Sequence, residues 1–470
     1  TIKDYPSSKR ARIALARVVL AQGKAADAID IVAKQADVMT LPDALALRGQ
    51  AYLATGDAAK AATDFDAVLK LVPHHEPAIV GRAWVELQNG DVAAATKRVA
   101  ERYTTKGSSP ALTTVYAATL RRSADPAQRD TAQKLLEKLV QTATGFDLAR
   151  AQLELARIYR DQGDYRAARP AFAAAASGGS QDARLEYGLL LIEDRDPSGG
   201  RETLDALLRD AAERPTPQLV IEGARARMLV GDHVNAAQLL DLADKMTGVE
   251  RWKLDRERGR LALRKSDFPV AAAALSRALD GCGSDGETFL LAADAGVYEK
   301  PLADKVKKLA PERLKGRPEA KIVEGKLLIA GETPKLAEAA QAYRDAKAGL
   351  KAEKASPRRL AQADFGLGLV AYIGQNNAEA LQMFELVIIQ DPSLVDTYVF
   401  AADIAKEPRR AFQYAQHAVQ YNPDYPGAWL LVGKLASKLG ERKALAEAIA
   451  RLTQIAPNGD ELKELKALRR

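Results

Sequence analysis

The sequence has few of the residues that bind metal ions or form disulfide bonds. Among its 470 residues, one is cysteine and four are histidine. A single thiol, Cys282, cannot form an internal disulfide, which excludes a fold held together by such bonds. Cys282 lies in the segment DGCGSDG, and we interpret it as an ordinary loop thiol.

Aromatic residues are also scarce, and long apolar runs are missing. Phe, Trp and Tyr make up 6% of the chain although 47% is hydrophobic, and alanine supplies much of that fraction. This balance favours closely packed helices over a bulky central core. No segment has the apolar length of a membrane span, so we expect no transmembrane segment in this chain.

Signatures of catalysis are missing as well. The Gly-containing segments at 366–374 and 427–436 lie in helical patterns and lack the spacing of a phosphate-binding loop. The adjacent His74 and His75 point in different directions and have no third ligand nearby in the sequence. We therefore predict that the chain is not an enzyme and that it binds no metal ion and no cofactor.

The charge is mildly basic. The formal net charge is +7 and the isoelectric point is about 9.1. This excess favours acidic partners, but aromatic residues do not alternate with the arginines as they do on stacking surfaces for nucleic acids. We expect no nucleic-acid partner.

What the sequence does contain is a repeated helix hairpin. Leu45, Gly49 and Tyr52 recur at helical spacing, and a second helical pattern follows the turn at Gly56. Glycine accepts the left-handed conformation that ends a helix, and Pro73 closes the second helix because proline cannot continue it. The unit is a hairpin of two helices.

Similar hairpins recur along most of the chain. Gly23, Gly56 and Gly90 mark equivalent turns, and later copies carry Gly163, Gly231 and Gly440. The helix pairs are predicted to start near residues 9, 42, 76, 109, 149, 181, 217, 252, 286, 318, 361, 395 and 426.

This pattern resembles the tetratricopeptide repeat family. The match in the clearest early copy consists of Leu45, Gly49, Tyr52, Ala61, Phe65 and Pro73. The resemblance implies an all-α fold, an α-solenoid of about thirteen helix hairpins that forms a right-handed superhelix. We divide it into residues 1–145, residues 146–285 with an arginine-lined concave face, and residues 286–470, which end in a capping helix.

The resemblance also implies that set positions of each first helix point into a concave groove. On those positions fall, among others, Trp84, Arg150, Arg157, Arg160, Arg225, Lys253, Arg256, Arg260 and Arg264, and later Phe365 and Tyr372. Arginine binds carboxylates bidentately, so the cluster suits an acidic peptide or acidic protein surface. The alternatives are a solvated face, or internal pairing with Glu154, Asp161 or Glu257. Trp84, Phe365 and Tyr372 either anchor a partner or pack between repeats.

These features predict a non-catalytic scaffold or adaptor that binds an acidic or amphipathic segment of a partner protein. The residue usage suggests a bacterial protein, either a cytoplasmic scaffold of motility, polarity or pilus assembly, or a periplasmic subunit of an exopolysaccharide or cellulose secretion machine. The chain begins at Thr1 without methionine, and we interpret it as a fragment or processed chain. The sequence therefore leaves the compartment, cytoplasm or periplasm, open.

Overall fold

The computed structural model describes a chain built from α-helices. It covers residues 8–33, 40–104, 107–123, 125–178, 181–194, 196–210, 215–331, 333–353 and 355–468. Within these ranges the regular elements are 27 α-helices, with no β-strand. The all-α solenoid expected from the sequence is confirmed. None of the helices in these ranges combines the length and the apolarity that crossing a bilayer demands.

The chain divides into two compact units. Unit 1 comprises residues 1–191 and 202–219, and unit 2 comprises residues 192–201 and 220–470. The three-part division proposed from the sequence follows the chemistry of the first helices and remains a prediction.

The helices of unit 1 pair as antiparallel neighbours in chain order. They are α1 (Lys9–Ala21), α2 (Ala25–Ala33), α3 (Pro42–Ala54), α4 (Ala58–Leu71), α5 (Glu76–Gln88), α6 (Val92–Ala100), α7 (Pro110–Arg121), α8 (Pro126–Leu139), α9 (Gly145–Asp161), α10 (Tyr165–Ser177), and most of α11 (Gln181–Glu193) and α12 (Pro197–Asp210).

Unit 2 continues the alternation. Its helices are most of α13 (Pro217–Leu229), α14 (His233–Asp244), α15 (Arg251–Arg264), α16 (Phe268–Gly281), α17 (Gly286–Gly296), α18 (Lys300–Arg313), α19 (Pro318–Ile329), α20 (Leu336–Ala352), α21 (Pro357–Ile373), α22 (Asn377–Gln390), α23 (Val395–Ile404), α24 (Pro408–Tyr421), α25 (Pro426–Leu439), α26 (Arg442–Ile455) and α27 (Asp460–Ala467).

The predicted starts of the helix pairs agree with the observed first helices. The largest differences are at α9, which begins at Gly145 rather than near 149, and at α21, which begins at Pro357 rather than near 361. A helix, α27, forms in the segment for which a capping helix was expected, and its capping role remains a prediction. Its Leu462 and Leu465 are buried against α25 and α26.

The turns form as the glycine pattern predicts. Gly56 has a φ of 85° and ends the first helix of its pair. Asp57 then caps α4, because its carboxylate accepts a hydrogen bond of 3.0 Å from the amide of Lys60. The same conformation and the same kind of cap recur at Gly90 and Asp91.

Glycines on the first helices make room for an aromatic ring from the second helix. In unit 1, Phe65 on α4 is completely buried between α3 and α5. A Cβ atom added to Gly49 would lie 2.8 Å from Phe65 Cε1, and one added to Gly81 would lie 2.2 Å from Phe65 Cζ. Both distances are too short for carbon atoms, so the glycines set how closely the helices approach.

Unit 2 repeats this arrangement. Tyr343 on α20 is buried between Gly325 and Gly366, where added Cβ atoms would lie 2.7 and 2.2 Å from its ring. Phe384 on α22 meets Gly368 in the same way, at 2.6 Å.

Replacement of Gly81 by alanine should destabilise unit 1. The added methyl group overpacks the Phe65 site, and this should outweigh the gain in helix propensity and lower the free energy of unfolding by about 2 kcal/mol. Urea denaturation, together with hydrogen exchange of α3–α5, would measure this loss of stability. The matched background is Phe65→Leu, in which Gly81→Ala should cost much less. An equal cost in both backgrounds would contradict the close-approach argument.

Replacement of Leu465 by alanine should loosen the C-terminal end of unit 2. Leu465 is completely buried, and its loss leaves a cavity next to Gly433 that should cost about 2–4 kcal/mol. Hydrogen exchange of α25–α27 is the measurement. Lys463→Ala on the same helix is the control, because the Lys463 side chain is 71% exposed. Equal exchange in the two variants would show that α27 does not cap this end.

Candidate functional site

The first helices of successive pairs form one continuous face in each unit, which we call the first-helix face. In unit 1 its charged centre is Glu154 on α9, whose side chain is 1% exposed. Arg121 on α7 donates to Glu154 over 3.1 Å and to Asp161 over 2.8 Å. Arg157 on α9 also contacts Glu154. One buried carboxylate thus joins two neighbouring first helices.

A second carboxylate links α9 to the next first helix, α11. Arg157 donates through Nε to both oxygens of Glu186, at 3.0 and 3.1 Å. Arg160, one turn further along, donates to Glu186 over 3.0 Å. Arg157 and Arg160, two of the three groove arginines predicted in this unit, therefore already have internal carboxylate partners.

The pKa of Glu154 reflects this pairing. Burial alone would raise it, but the positive charges of Arg157, Arg121 and Arg122 outweigh burial and lower the pKa to about 2. The carboxylate is therefore charged at any physiological pH and neutralises part of the arginine cluster.

Arg150 differs from its neighbours. Its guanidinium carbon lies 4.8 Å from the centre of the Trp84 ring and 5.5 Å from that of Phe146. Within the described parts of the chain, no carboxylate lies within ion-pair distance of it, and burial lowers its pKa. The ring of Phe146 beside it is 51% exposed.

For Trp84 the sequence left two possibilities open, an anchor for a partner or packing between repeats. Its side chain is 9% exposed and packs in a cluster with Val80, Leu87 and Leu112. The remaining edge lies under Arg150. The indole supports that guanidinium instead of standing free in a groove.

In unit 2 the first-helix face has an equivalent cluster around Glu257 on α15 and Glu287 on α17. Arg260 donates over 2.7 Å to Glu257 and over 2.8 Å to Glu287. Arg225, on α13, donates over 3.0 Å to Glu287. Arg256 donates over 2.7 Å to Glu257. Three first helices are cross-linked through two carboxylates.

The arginines of this cluster stabilise the charged form of its carboxylates. Burial would raise the pKa of Glu287, but Arg225, Arg260 and Arg256 lower it well below its usual range. Arg256 lies nearly buried against Trp252, with 5.5 Å between the guanidinium carbon and the ring centre. The internal pairing considered from the sequence, with Glu257 as partner, is present here.

Arg264, the last residue of α15, lacks the carboxylate partner that Arg256 and Arg260 have. Its guanidinium donates to the carbonyl oxygen of Tyr421 over 3.4 Å, and among the described residues no carboxylate lies within ion-pair distance. Burial, followed by repulsion from Arg260, lowers its pKa to about 10. The positive charge at Arg264 is therefore poorly compensated.

The apolar side chains proposed to bind a partner in unit 2 mostly contact other residues of the same unit. Phe365 is 7% exposed and packs against Phe384 and Phe400, with ring centres 6.0 and 6.1 Å apart. Tyr372 packs edge-on against Phe400 and donates its hydroxyl to Asp403 over 2.7 Å. Phe365 therefore belongs to the core, whereas Tyr372 remains partly exposed.

Some partners in these clusters were not identified from the sequence. Glu186 and Glu287 fall one repeat after Glu154 and Glu257, so the repeat phase itself could have indicated them. In the part of the chain that the structure describes, no group of three or more His, Cys, Asp or Glu side chains is arranged to hold a metal ion.

Comparisons with solved structures give distant likenesses. The APC/C hetero-tetramer Cut9–Hcn1 superposes with a TM-score of 0.40 and 11% identity, over 92% of this chain and 98% of that chain. Yeast Tom70 superposes with a TM-score of 0.38 and 15% identity, over 89% of this chain and 96% of that chain. At these scores neither likeness bears on function. No curated protein matches the sequence.

A family model supplies the stronger match. The model described as tetratricopeptide repeat matches residues 46–110 and 153–218. Those ranges contain the Gly56 and Gly163 turns and the Phe65 packing described above. Repeats of this kind stack into extended surfaces that serve as protein-interaction scaffolds. The chain therefore contains tetratricopeptide repeats in these two ranges.

Proposed function

We propose that this protein is a non-catalytic scaffold whose first-helix face holds an acidic segment of a partner protein. The observation that carries the proposal is that Arg150 and Arg264 have no carboxylate partner among the described residues, whereas the arginines around them do. Both side chains are half-buried, and the nearest carboxylates act on them only from beyond ion-pair distance, so a partner's carboxylate would supply the direct counter-charge that they lack.

In this proposal the arginines that already have carboxylate partners hold the first helices together. Arg157 and Arg160 in unit 1, and Arg225, Arg256 and Arg260 in unit 2, fix the carboxylates that join neighbouring first helices. They hold the face rigid and leave the uncompensated charges at Arg150 and Arg264. In unit 1 the exposed ring of Phe146 next to Arg150 adds apolar contact area for an amphipathic partner.

The proposal includes the two bacterial settings suggested by the composition. One is a cytoplasmic motility, polarity or pilus scaffold, and the other is a periplasmic exopolysaccharide or cellulose secretion subunit. Sequencing the partner captured by the protein from its native extract distinguishes them.

A displayed library of random peptides tests the binding chemistry even while the partner is unidentified. Peptides selected by the wild-type protein should be enriched in Asp and Glu. The affinity of peptides that bind unit 1 should fall about tenfold with Arg150→Gln, and that of peptides that bind unit 2 should fall about tenfold with Arg264→Gln, because a charged hydrogen bond contributes about 1.5–3 kcal/mol. Affinity should also fall as salt concentration rises.

Arg166→Gln and Arg277→Gln are the matched controls. Both residues are exposed and lie on second helices, α10 and α16. These variants should retain the wild-type affinity. Selected peptides without acidic residues, or equal losses in the control and test variants, would refute the proposal.

A further inference from the structure

Unit 2 contains a contact between segments that are far apart in the sequence. The loop at residues 421–425, between α24 and α25, lies against the turn before α14 and against the end of α15. Asn422 donates its side-chain amide to the carbonyl oxygen of Arg264 over 3.0 Å, across 158 positions of sequence. In a repeat array each pair packs mainly on its neighbours, so this contact does not follow from the repeat itself.

The other side of the contact involves His233. Its Nδ1 lies 2.8 Å from Asp424 Oδ2, and the two residues are 191 positions apart. The His233 side chain is completely buried, and its Nε2 has no hydrogen-bond partner within the described ranges. The hydrogen bond from His233, opposed by burial, lowers the pKa of Asp424 below its usual range.

Backbone packing completes the contact. Gly231 has a φ of 77°, and a Cβ atom added to it would lie 2.5 Å from Pro423 Cδ. The turn can approach the loop this closely only because residue 231 is glycine.

Side chains from α25 and α26 hold the loop in its conformation. Trp429 donates its indole N–H to the carbonyl oxygen of Pro423 over 2.7 Å. Arg451 donates to the same oxygen over 3.3 Å and to Asp424 over 3.1 Å. The loop is thus held in the conformation that meets α14 and α15, and the polar part of the contact consists of the hydrogen bonds at Asp424, Tyr421 and Asn422. Small polar contacts of this kind open readily.

We infer that residues 421–425 form a latch that closes unit 2 on itself and covers Arg264. The hydrogen bond that Arg264 donates is accepted by Tyr421 at the edge of this loop. Release of the latch frees the guanidinium for an acidic partner, so the latch is an autoinhibitory contact. This consequence for binding rests on the proposed function, whereas the closure itself does not.

Chemical modification of histidine tests the closure without any partner. Diethyl pyrocarbonate should modify the exposed His417 rapidly and the buried His233 slowly in the wild-type protein. Gly231→Ala should speed the modification of His233 about tenfold, because the reaction proceeds through the open form. Mass spectrometry of the peptides gives both rates.

The matched control is Gly440→Ala. Gly440 has nearly the same φ, 75°, at an equivalent turn of the same unit, but an added Cβ atom there meets nothing within 4 Å. Both substitutions carry the same backbone strain, and only Gly231→Ala clashes with the latch. Asp424→Ala, on the opposite side of the contact, should also speed the modification of His233. This second variant keeps the test decisive if Gly231→Ala does not fold.

The outcomes separate the latch from the proposed function. Equal rates for His233 and His417 in the wild-type protein, or no difference between Gly231→Ala and Gly440→Ala, would overturn the latch. If the latch opens, acidic peptides from the library should bind Gly231→Ala several-fold more tightly than Gly440→Ala. Equal affinities would show that the latch does not block access to Arg264. A library that yields no acidic peptides would refute the proposed function and leave the histidine result standing.

Discussion

The close approach of helices around an aromatic ring is the constraint on which the rest of the structure depends. Phe65, Tyr343 and Phe384 fill gaps that exist only because the facing residues are glycines. The ring from a second helix therefore fixes the distance between neighbouring first helices. Ion pairs between adjacent first helices elsewhere in the chain need the same close spacing. Each of these rings contacts more than one helix, so this packing requires few aromatic residues, which make up 6% of the chain.

The ion pairs on the first-helix face depend on this spacing. Glu154, Glu257 and Glu287 each accept from arginines of more than one helix or turn. Their burial would be unfavourable if the carboxylates were alone, and the surrounding guanidiniums make it tolerable. Most arginines named on this face consequently have a carboxylate beside them. Arg150 and Arg264 stand out because they lack this compensation.

The parts of this fold that are local could be predicted from the sequence. The turn at Gly56 and the helices on either side of it are set by residues close together in the chain, and they agree with the structure. The arginines on first helices were also identified, but their partners Glu186 and Glu287 were not, since pairing depends on how neighbouring helices face each other. The contact between His233 and Asp424 has no local signal, because it depends on small rotations added over many pairs.

The long sequence separation of that contact also bears on the order of folding. Helix hairpins form from neighbouring residues and can assemble as the chain emerges, whereas contacts between distant residues form late because loop closure has an entropic cost. The residues that shape the 421–425 loop, Trp429 and Arg451, are among the last to be synthesised in unit 2. During synthesis the array therefore exists first as an open string of helix pairs. Its self-contact can form only when nearly all of unit 2 has been made, so that contact marks the completion of folding.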